Sequence, residues 1–351
     1  MTGIAAQVYD PLMRVPFDVL HAALRRVLEK IGFTADRADL CARLFAEASR
    51  DGVASHGLNR FPRFLDTIRN GVVDIHAEPR RVARLGAGAL ERWDGQRGPG
   101  NLNAHRCMHE AIARSREHGI GGIALANTNH WMRAGSYGWQ AAEAGVIGVC
   151  WTNTMPNLPP WGAAEARLGN NPLVIAVPRP DGHVVLDMAM SQFSYGALAS
   201  YRMRGEMLPV VGGFDESGEL TRDPAAIEAS WRPLPIGFWK GSGLALMLDL
   251  VAALLSGGQA THQLSATPEK ETGVSQVFLA FDVTSLNAPG SGPGAATSLV
   301  DQVIAHLHAP LRDGGRVRYP GERTLEIRRE SLANGVPVDP AIWESVQNLQ
   351  I

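Results

Sequence analysis

Residues 119–124 read Gly119-Ile120-Gly121-Gly122-Ile123-Ala124, a string that matches G-x-G-x-x-A. That pattern holds a dinucleotide only where a strand enters the glycines and a helix leaves them, so that the helix N-terminus meets the pyrophosphate. Here the order is reversed. Asn103 to Glu117 carries a helical pattern, whereas Ile120 to Ala126 is an apolar run of strand length. The glycines therefore read as a helix stop leading into a core strand, and the chain is expected to be α/β without a Rossmann fold.

Working outward, Val146 to Thr152, Val174 to Val177, Val184 to Asp187 and Gln276 to Val283 read as further strands, rich in Val, Ile and Leu. Pro178-Arg179-Pro180-Asp181-Gly182 lies between two of them and carries the Asp-Gly signal of a hairpin. A hairpin implies antiparallel pairing, so the expected sheet is mixed and mostly antiparallel. Leu244 to Leu255, entered by Gly241-Ser242-Gly243 and stopped by Gly257-Gly258, is apolar nearly all round and reads as a core helix.

The ends read as helical. Val19, Leu20, Ala23, Leu24, Val27 and Leu28 recur at three-four spacing before Gly32, and Thr34 is placed to cap a second helix bearing Ala38, Cys41, Leu44, Phe45 and Ala48. Pro62 is placed to open a third helix. Ala288 to Gly294 is a Pro/Gly linker; beyond it Leu299 to Leu307 and Pro340 to Val346, the latter capped by Asp339, continue the helical pattern. The expected organisation is a helical unit over residues 1–80 joined by 299–351, and a mixed-sheet region over 81–298 that binds cofactor and substrate.

With Lys+Arg 33 against Asp+Glu 35, the net charge of -2 excludes a broad basic field for nucleic acid or an anionic membrane. The first fourteen residues include Asp10 and lack a basic segment ahead of an apolar run, so no secretory signal is expected there. Three cysteines without a C-x-x-C pair, Cys41, Cys107 and Cys150, fit thiols in a reducing cytoplasm. No G-x-x-x-x-G-K-[ST] loop and no G-x-S-x-G elbow is present. His105 and His109 are one turn apart but lack the glutamate of an H-E-x-x-H site, and read as a solvated helix face.

Polar residues in glycine-rich loops remain. Ser55-His56-Gly57 with Arg60 joins an imidazole to a guanidinium that can grip a carboxylate. Asn127 to Gly138 places His130, Arg133 and Tyr137 directly after a strand, and Gly169-Asn170-Asn171-Pro172 is a third such loop. Trp239-Lys240-Gly241-Ser242-Gly243 opens a helix whose amides can hold a phosphate. By themselves these describe a small-molecule enzyme acting on an anion.

In this order the loops resemble those of the type-2 malate/L-lactate dehydrogenase family, from about Phe17 to Trp343. The likeness rests on Ser55-His56-Gly57-x-x-Arg60-Phe61, Asn129-His130 with Gly135 and Tyr137, Gly169-x-Asn171-Pro172, Asp187-Met188-Ala189 and Lys240-Gly241. Within the family, Asn129 to Arg133, Ser136 to Glu143, Cys150 to Asn153 and Pro159 to Ala163 look like a sugar-acid branch and not the lactate or malate branches. Asn170 departs from the Thr or Ser expected before Asn171.

The resemblance implies reduction of a 2-oxo acid by NADH or NADPH on a non-Rossmann fold, in a cytoplasmic homodimer without nucleic-acid or membrane partners. It implies His56 as proton donor, Ser55 orienting its ring, and Arg60 anchoring the substrate carboxylate. His130, Arg133 and Asn171 would bind substrate. Cofactor would be held by His183, Val184, Val185, Leu186, Asp187, Met188 and Ala189, by Trp239 and Lys240, and by Gly321, Glu322 and Arg323, with no metal required. Lactate, malate and ureidoglycolate dehydrogenases and cyclic imino-acid reductases are alternatives in the same family. From other classes come a metal-dependent hydrolase or lyase using His56, His130 and Asp187, and a silent sugar-acid binding protein.

Overall fold

The computed structural model describes residues 13–85, 87–267, 270–283, 295–311, 314–315 and 317–349. The Ala288 to Gly294 linker lies outside them. The chain divides into two compact units, one of Met1–Arg63 with Thr324–Ile351 and one of Phe64–Arg323. The expected boundaries at residues 80 and 299 thus fall inside the larger unit.

The smaller unit is built from both ends of the chain. Helix α1 (Phe17–Lys30) buries Leu20, Ala23, Leu24, Val27 and Leu28, and α2 (Ala35–Arg50) buries Ala38, Cys41, Leu44, Phe45 and Ala48. These are the stripes that three-four spacing predicts. Thr34 stands at the N-cap of α2 but makes no side-chain cap bond. Strand β1 (Met13–Val15) pairs antiparallel with β11 (Val336–Val338). Between them, Arg328 of α10 (Glu322–Asn334) donates to both oxygens of the buried Asp51 at 2.8 and 2.6 Å, a forked charge-assisted pair. Asp339 caps α11 (Pro340–Gln347), accepting from the amides of Ala341 and Ile342. Helix α3 (Phe61–Arg69) begins one residue before Pro62 and crosses the division between the units.

The larger unit holds a seven-stranded sheet in the order β2-β3-β4-β10-β5-β6-β7. Its strands are β2 (Arg80–Leu85), β3 (Leu90–Asp94), β4 (Ile120–Thr128), β5 (Ile147–Thr152), β6 (Leu173–Val177), β7 (Val184–Met188) and β10 (Val274–Phe281). Among the described strands only β3 and β4 run parallel; β6 and β7 form the hairpin that Asp181-Gly182 signals. Strands β2 and β3, rich in Arg and Glu, were not foreseen from the sequence. The short strands β8 (Gly213–Phe214) and β9 (Leu220–Thr221) pair apart from this sheet, near α6 (Tyr195–Met203) and α7 (Pro224–Ser230).

Helix α4 (Gly100–His118) stops at Gly119, whose φ of 80° suits glycine, and passes straight into β4. A Cβ on Gly121 would lie 2.0 Å from the carbonyl oxygen of Ala111. The glycine string therefore lets α4 lie against the strand it feeds. Central strand β10 alternates its side chains between faces. Val277 joins Ala124, Trp151, Leu158 and Met190 under α8 (Trp239–Ser256), while the Phe278 ring meets those of Trp131 and Tyr137, both at 6.0 Å. Trp131 follows β4, and Tyr137 lies in the first turn of α5 (Gly135–Glu143). Helix α9 (Ala295–Leu307) covers the predicted Leu299 to Leu307 and belongs to this unit.

One sequence expectation fails at α8. Ala245, Leu248 and Ala252 pack into the core, yet Met247 is 54% exposed and Leu254 71%. The helix is apolar all round but buried on one side only.

Candidate active site

In the smaller unit, Ser55, His56 and Arg60 lie on two successive 3-10 turns, Ala54–His56 and Leu58–Arg60, after α2. The Ser55 hydroxyl lies 3.1 Å from His56 Nδ1, so it can fix the ring's orientation. Gly57 permits the turn: a Cβ there would sit 2.2 Å from Ser49 Oγ and 2.9 Å from the carbonyl oxygen of Phe45. Ser49 Oγ in turn accepts from the Leu58 amide at 2.8 Å. The imidazole is half-buried and Ser55 exposed, a setting open to an anion.

In the larger unit, Asp187 of β7 accepts from the Gly135 amide at 2.8 Å, at the first residue of α5. Protein crowds its Gly135 side, and the other side is open to solvent. That crowding raises its carboxyl above the usual carboxylate range, opposed by the buried Arg133 guanidinium and the Gly135 amide. A Cβ on Gly135 would stand 2.6 Å from Asp187 Oδ2, so the pairing requires glycine. His130 Nδ1 accepts from the Met132 amide at 3.1 Å, which places the proton of the neutral ring on Nε2. Met132 takes a φ of 63°, an uncommon conformation for a side chain of its size.

The two other expected cofactor segments each lie beside β7, at its opposite ends. The Val185 amide donates to the Pro320 carbonyl at 2.9 Å, and Gly321, with φ of 94°, lies so close that a Cβ would be 3.1 Å from Val185 N. Beyond β7, the Ile236 amide donates to Met190 O and the Gln192 amide to Leu234 O, which brings the start of α8 beside the end of β7. Phe238, just before α8, has φ 60° and ψ -113°, and Lys240 stands exposed in the first turn. Glu322 accepts from the Tyr319 amide at 3.2 Å and faces His308 at 3.4 Å; Arg323 is exposed. His183 Nδ1 accepts from the Arg179 amide. This unit therefore offers a cation and a helix N-terminus beside the end of β7, which fits a pyrophosphate-bearing cofactor, and glycine-lined backbone beside its start.

Asn171 is placed differently from a direct substrate contact. It is fully buried, accepting from the Thr154 amide at 2.9 Å and donating to Ala245 O at 2.8 Å, so its amide is committed to holding loops against α8. Asn170, standing where a hydroxyl was expected, accepts from Thr154 Oγ1 and Asn157 Nδ2. Gly135 carries the family resemblance in the sequence, but the partner of its amide is visible only in the fold. Nothing in the sequence marks Phe238 as a phenylalanine with positive φ. Among the described residues no three His, Cys, Asp or Glu side chains gather as a metal ion requires.

The chain belongs to the family described as malate/L-lactate dehydrogenase, whose sequence profile matches residues 15–347. It is similar to the 2,3-diketo-L-gulonate reductase of Escherichia coli (strain 536), with 45% identity over 337 residues, 96% of this chain and 100% of that one. The solved malate dehydrogenase of Pyrococcus horikoshii OT3 superposes with a TM-score of 0.83 at 29% identity, covering 96% of this chain and 94% of its own. The delta1-piperideine-2-carboxylate reductase of Pseudomonas syringae pvar. tomato gives 0.82 at 30% identity, covering 96% and 99%. This chain is thus an oxidoreductase, and the family is one of NAD(P)-dependent dehydrogenases.

Proposed function

We propose that this chain reduces 2,3-diketo-L-gulonate to 3-keto-L-gulonate, with NADH as the cofactor and NADPH as the second choice. The observation that carries this reading is 45% identity with reductases of that name over nearly the whole chain. The buried thiols of Cys41, Cys107 and Cys150 agree with a cytoplasmic enzyme.

When bound, a reduced nicotinamide supplies the hydride that reaches C2 of the 2-oxo acid. His56 gives its proton to the oxygen at C2 as charge develops there, and Ser55 keeps the ring in the orientation that allows it. Arg60 pairs with the substrate carboxylate through its planar guanidinium. His130 donates through Nε2 to a substrate oxygen, and Arg133, backed by Asp187, favours a substrate rich in oxygens. Lys240 and the N-terminus of α8 would balance the cofactor's phosphates, and residues 183–189 with Gly321, Glu322 and Arg323 would hold it. Asn171 acts at one remove, by positioning the loop next to Thr154.

The test is oxidation of NADH and NADPH, followed by nicotinamide absorbance, with 2,3-diketo-L-gulonate, pyruvate, oxaloacetate and a cyclic imino acid. The diketo acid is expected to give the highest kcat/KM. Turnover of only the imino acid or only oxaloacetate would move the assignment to another branch, and no turnover with any substrate would refute it.

A further inference from the structure

Asn170 stands where the family resemblance calls for a hydroxyl, and its neighbours fix which way its side-chain amide turns. Oδ1 accepts from Thr154 Oγ1 at 3.1 Å and from Asn157 Nδ2 at 3.3 Å, while the Asn170 backbone N–H donates to Asn157 Oδ1 at 2.8 Å. With both donors on the oxygen side, the amide nitrogen points the other way. Among the described residues Nδ2 has no partner, although the side chain is half-buried. Two N–H groups are thus held in place and left unused. A hydroxyl carries one proton, so a Thr or Ser at this position could offer at most one donor.

Backbone bonds place this donor pair. The Met190 amide donates to Asn170 O at 2.8 Å and the Ile236 amide to Met190 O at 2.8 Å, so Asn170, the chain leaving β7 and the lead into α8 lie side by side. Asn171 ties the same loop to α8 through Ala245 O. Ser191 follows Met190 and bridges to Pro235, just ahead of α8. It is 5% exposed, and its hydroxyl has no hydrogen-bond partner among the described residues. A buried hydroxyl left in that state destabilises the fold unless something else binds it. The Asn170 N–H pair, the Ser191 hydroxyl, the N-terminus of α8 and Lys240 are all donors or positive charges, which together suit an anion with several oxygens.

We infer that Asn170 and Ser191 are further cofactor-binding residues, donating to oxygens of the pyrophosphate that the start of α8 attracts. The inference rests on the cofactor reading above and adds two residues to it. Substrate oxygens are the other acceptors such donors could meet. Binding of cofactor in the absence of substrate separates the two sources.

Asn170→Asp keeps an oxygen for Thr154 and Asn157 but replaces the two N–H donors by a charged acceptor. Titrated with NADH alone and followed by nicotinamide fluorescence, the full-length variant is expected to bind at least about tenfold more weakly than wild type, with the loss shrinking as salt is raised. Inorganic pyrophosphate is expected to displace NADH from wild type and to do so less well from the variant. Ser191→Ala is expected to bind NADH about five- to tenfold more weakly while the melting midpoint without cofactor stays level or rises, because it deletes a buried hydroxyl that has no partner. A purely packing role for Ser191 would lower that midpoint instead. If Asn170→Asp failed to fold, Ser191→Ala would decide. No NADH binding by wild type would overturn the inference together with the cofactor reading. Wild-type NADH affinity in both variants, or a loss confined to the KM of the keto acid, would overturn the inference alone.

Discussion

Gly57→Ala tests whether the turn after α2 exists to place His56. The added Cβ would lie 2.2 Å from Ser49 Oγ, 2.7 Å from Ser49 N and 2.9 Å from Phe45 O. A hydroxyl can rotate away, but the other two atoms belong to the backbone of α2, whose last turns are buried. The 3-10 turn has to move instead. Overpacking of this kind costs about 1–3 kcal/mol, and separating the Leu58 amide from Ser49 Oγ adds ~1 kcal/mol. Because the same turn carries Ser55 and His56, an ångström of displacement is expected to lower kcat by about 10²-fold. Cofactor affinity is expected to hold, since the residues proposed to bind it lie in the other unit. Ser49→Ala provides the graded control: it removes the hydroxyl bond without the intruding carbon and is expected to lose only the ~1 kcal/mol of that bond. Denaturation midpoints, kcat, and NADH binding by fluorescence measure the three effects. A Gly57→Ala enzyme with wild-type kcat and unchanged midpoint would refute the assignment of this turn.

Three further outcomes are expected. His56→Ala should lower turnover by about 10²–10⁴-fold while NADH still binds; near-normal turnover would remove His56 as proton donor. Asp187→Asn keeps an oxygen for the Gly135 amide and deletes the charge. Since the folded-state carboxyl titrates above its ordinary 3.8, its contribution to stability is full below that value and lost as pH rises through the raised one, so the variant should gain on wild type with rising pH in denaturation curves. An unchanging gap would contradict this. Glu91→Gln should destabilise by about 1–3 kcal/mol at neutral pH. Burial pushes the Glu91 carboxyl up, but the Trp93 indole N–H at 2.9 Å and the Arg114, Arg84 and Arg81 guanidiniums outweigh it. Its stabilisation is therefore present above the ordinary 4.5 and lost as pH falls through the lowered value, so the cost of Glu91→Gln should shrink in acid.

Local chemistry made much of this fold legible. Gly119 and Gly32 stop helices, Asp339 caps one, and Asp181-Gly182 turns a hairpin, all within a few residues of the signal. Strands β2 and β3 escaped because Arg81, Arg84 and Glu91 pair across them, so their polar composition hides a sheet edge. The apolar sequence of α8 could not reveal that one side lacks a neighbour in its own chain, because hydropathy reports composition and not what lies opposite. His56, His130 and Arg133 could be singled out because polar residues cluster in glycine-rich loops. The Asp187–Gly135 clasp could not, since it joins residues 52 apart through a backbone amide.

Strand β10 sits between β4 and β5 although it follows β5 by more than a hundred residues. During synthesis on a ribosome, both older strands must wait with one edge open, because each pairs with β10 and not with the other, until residue 281 has emerged. Such edges are prone to capture by other chains, so the yield of active enzyme should depend on how long they are shielded. A nascent chain halted before β10 is then the form most dependent on chaperones, and slowing translation ahead of residue 274 should favour aggregation over folding.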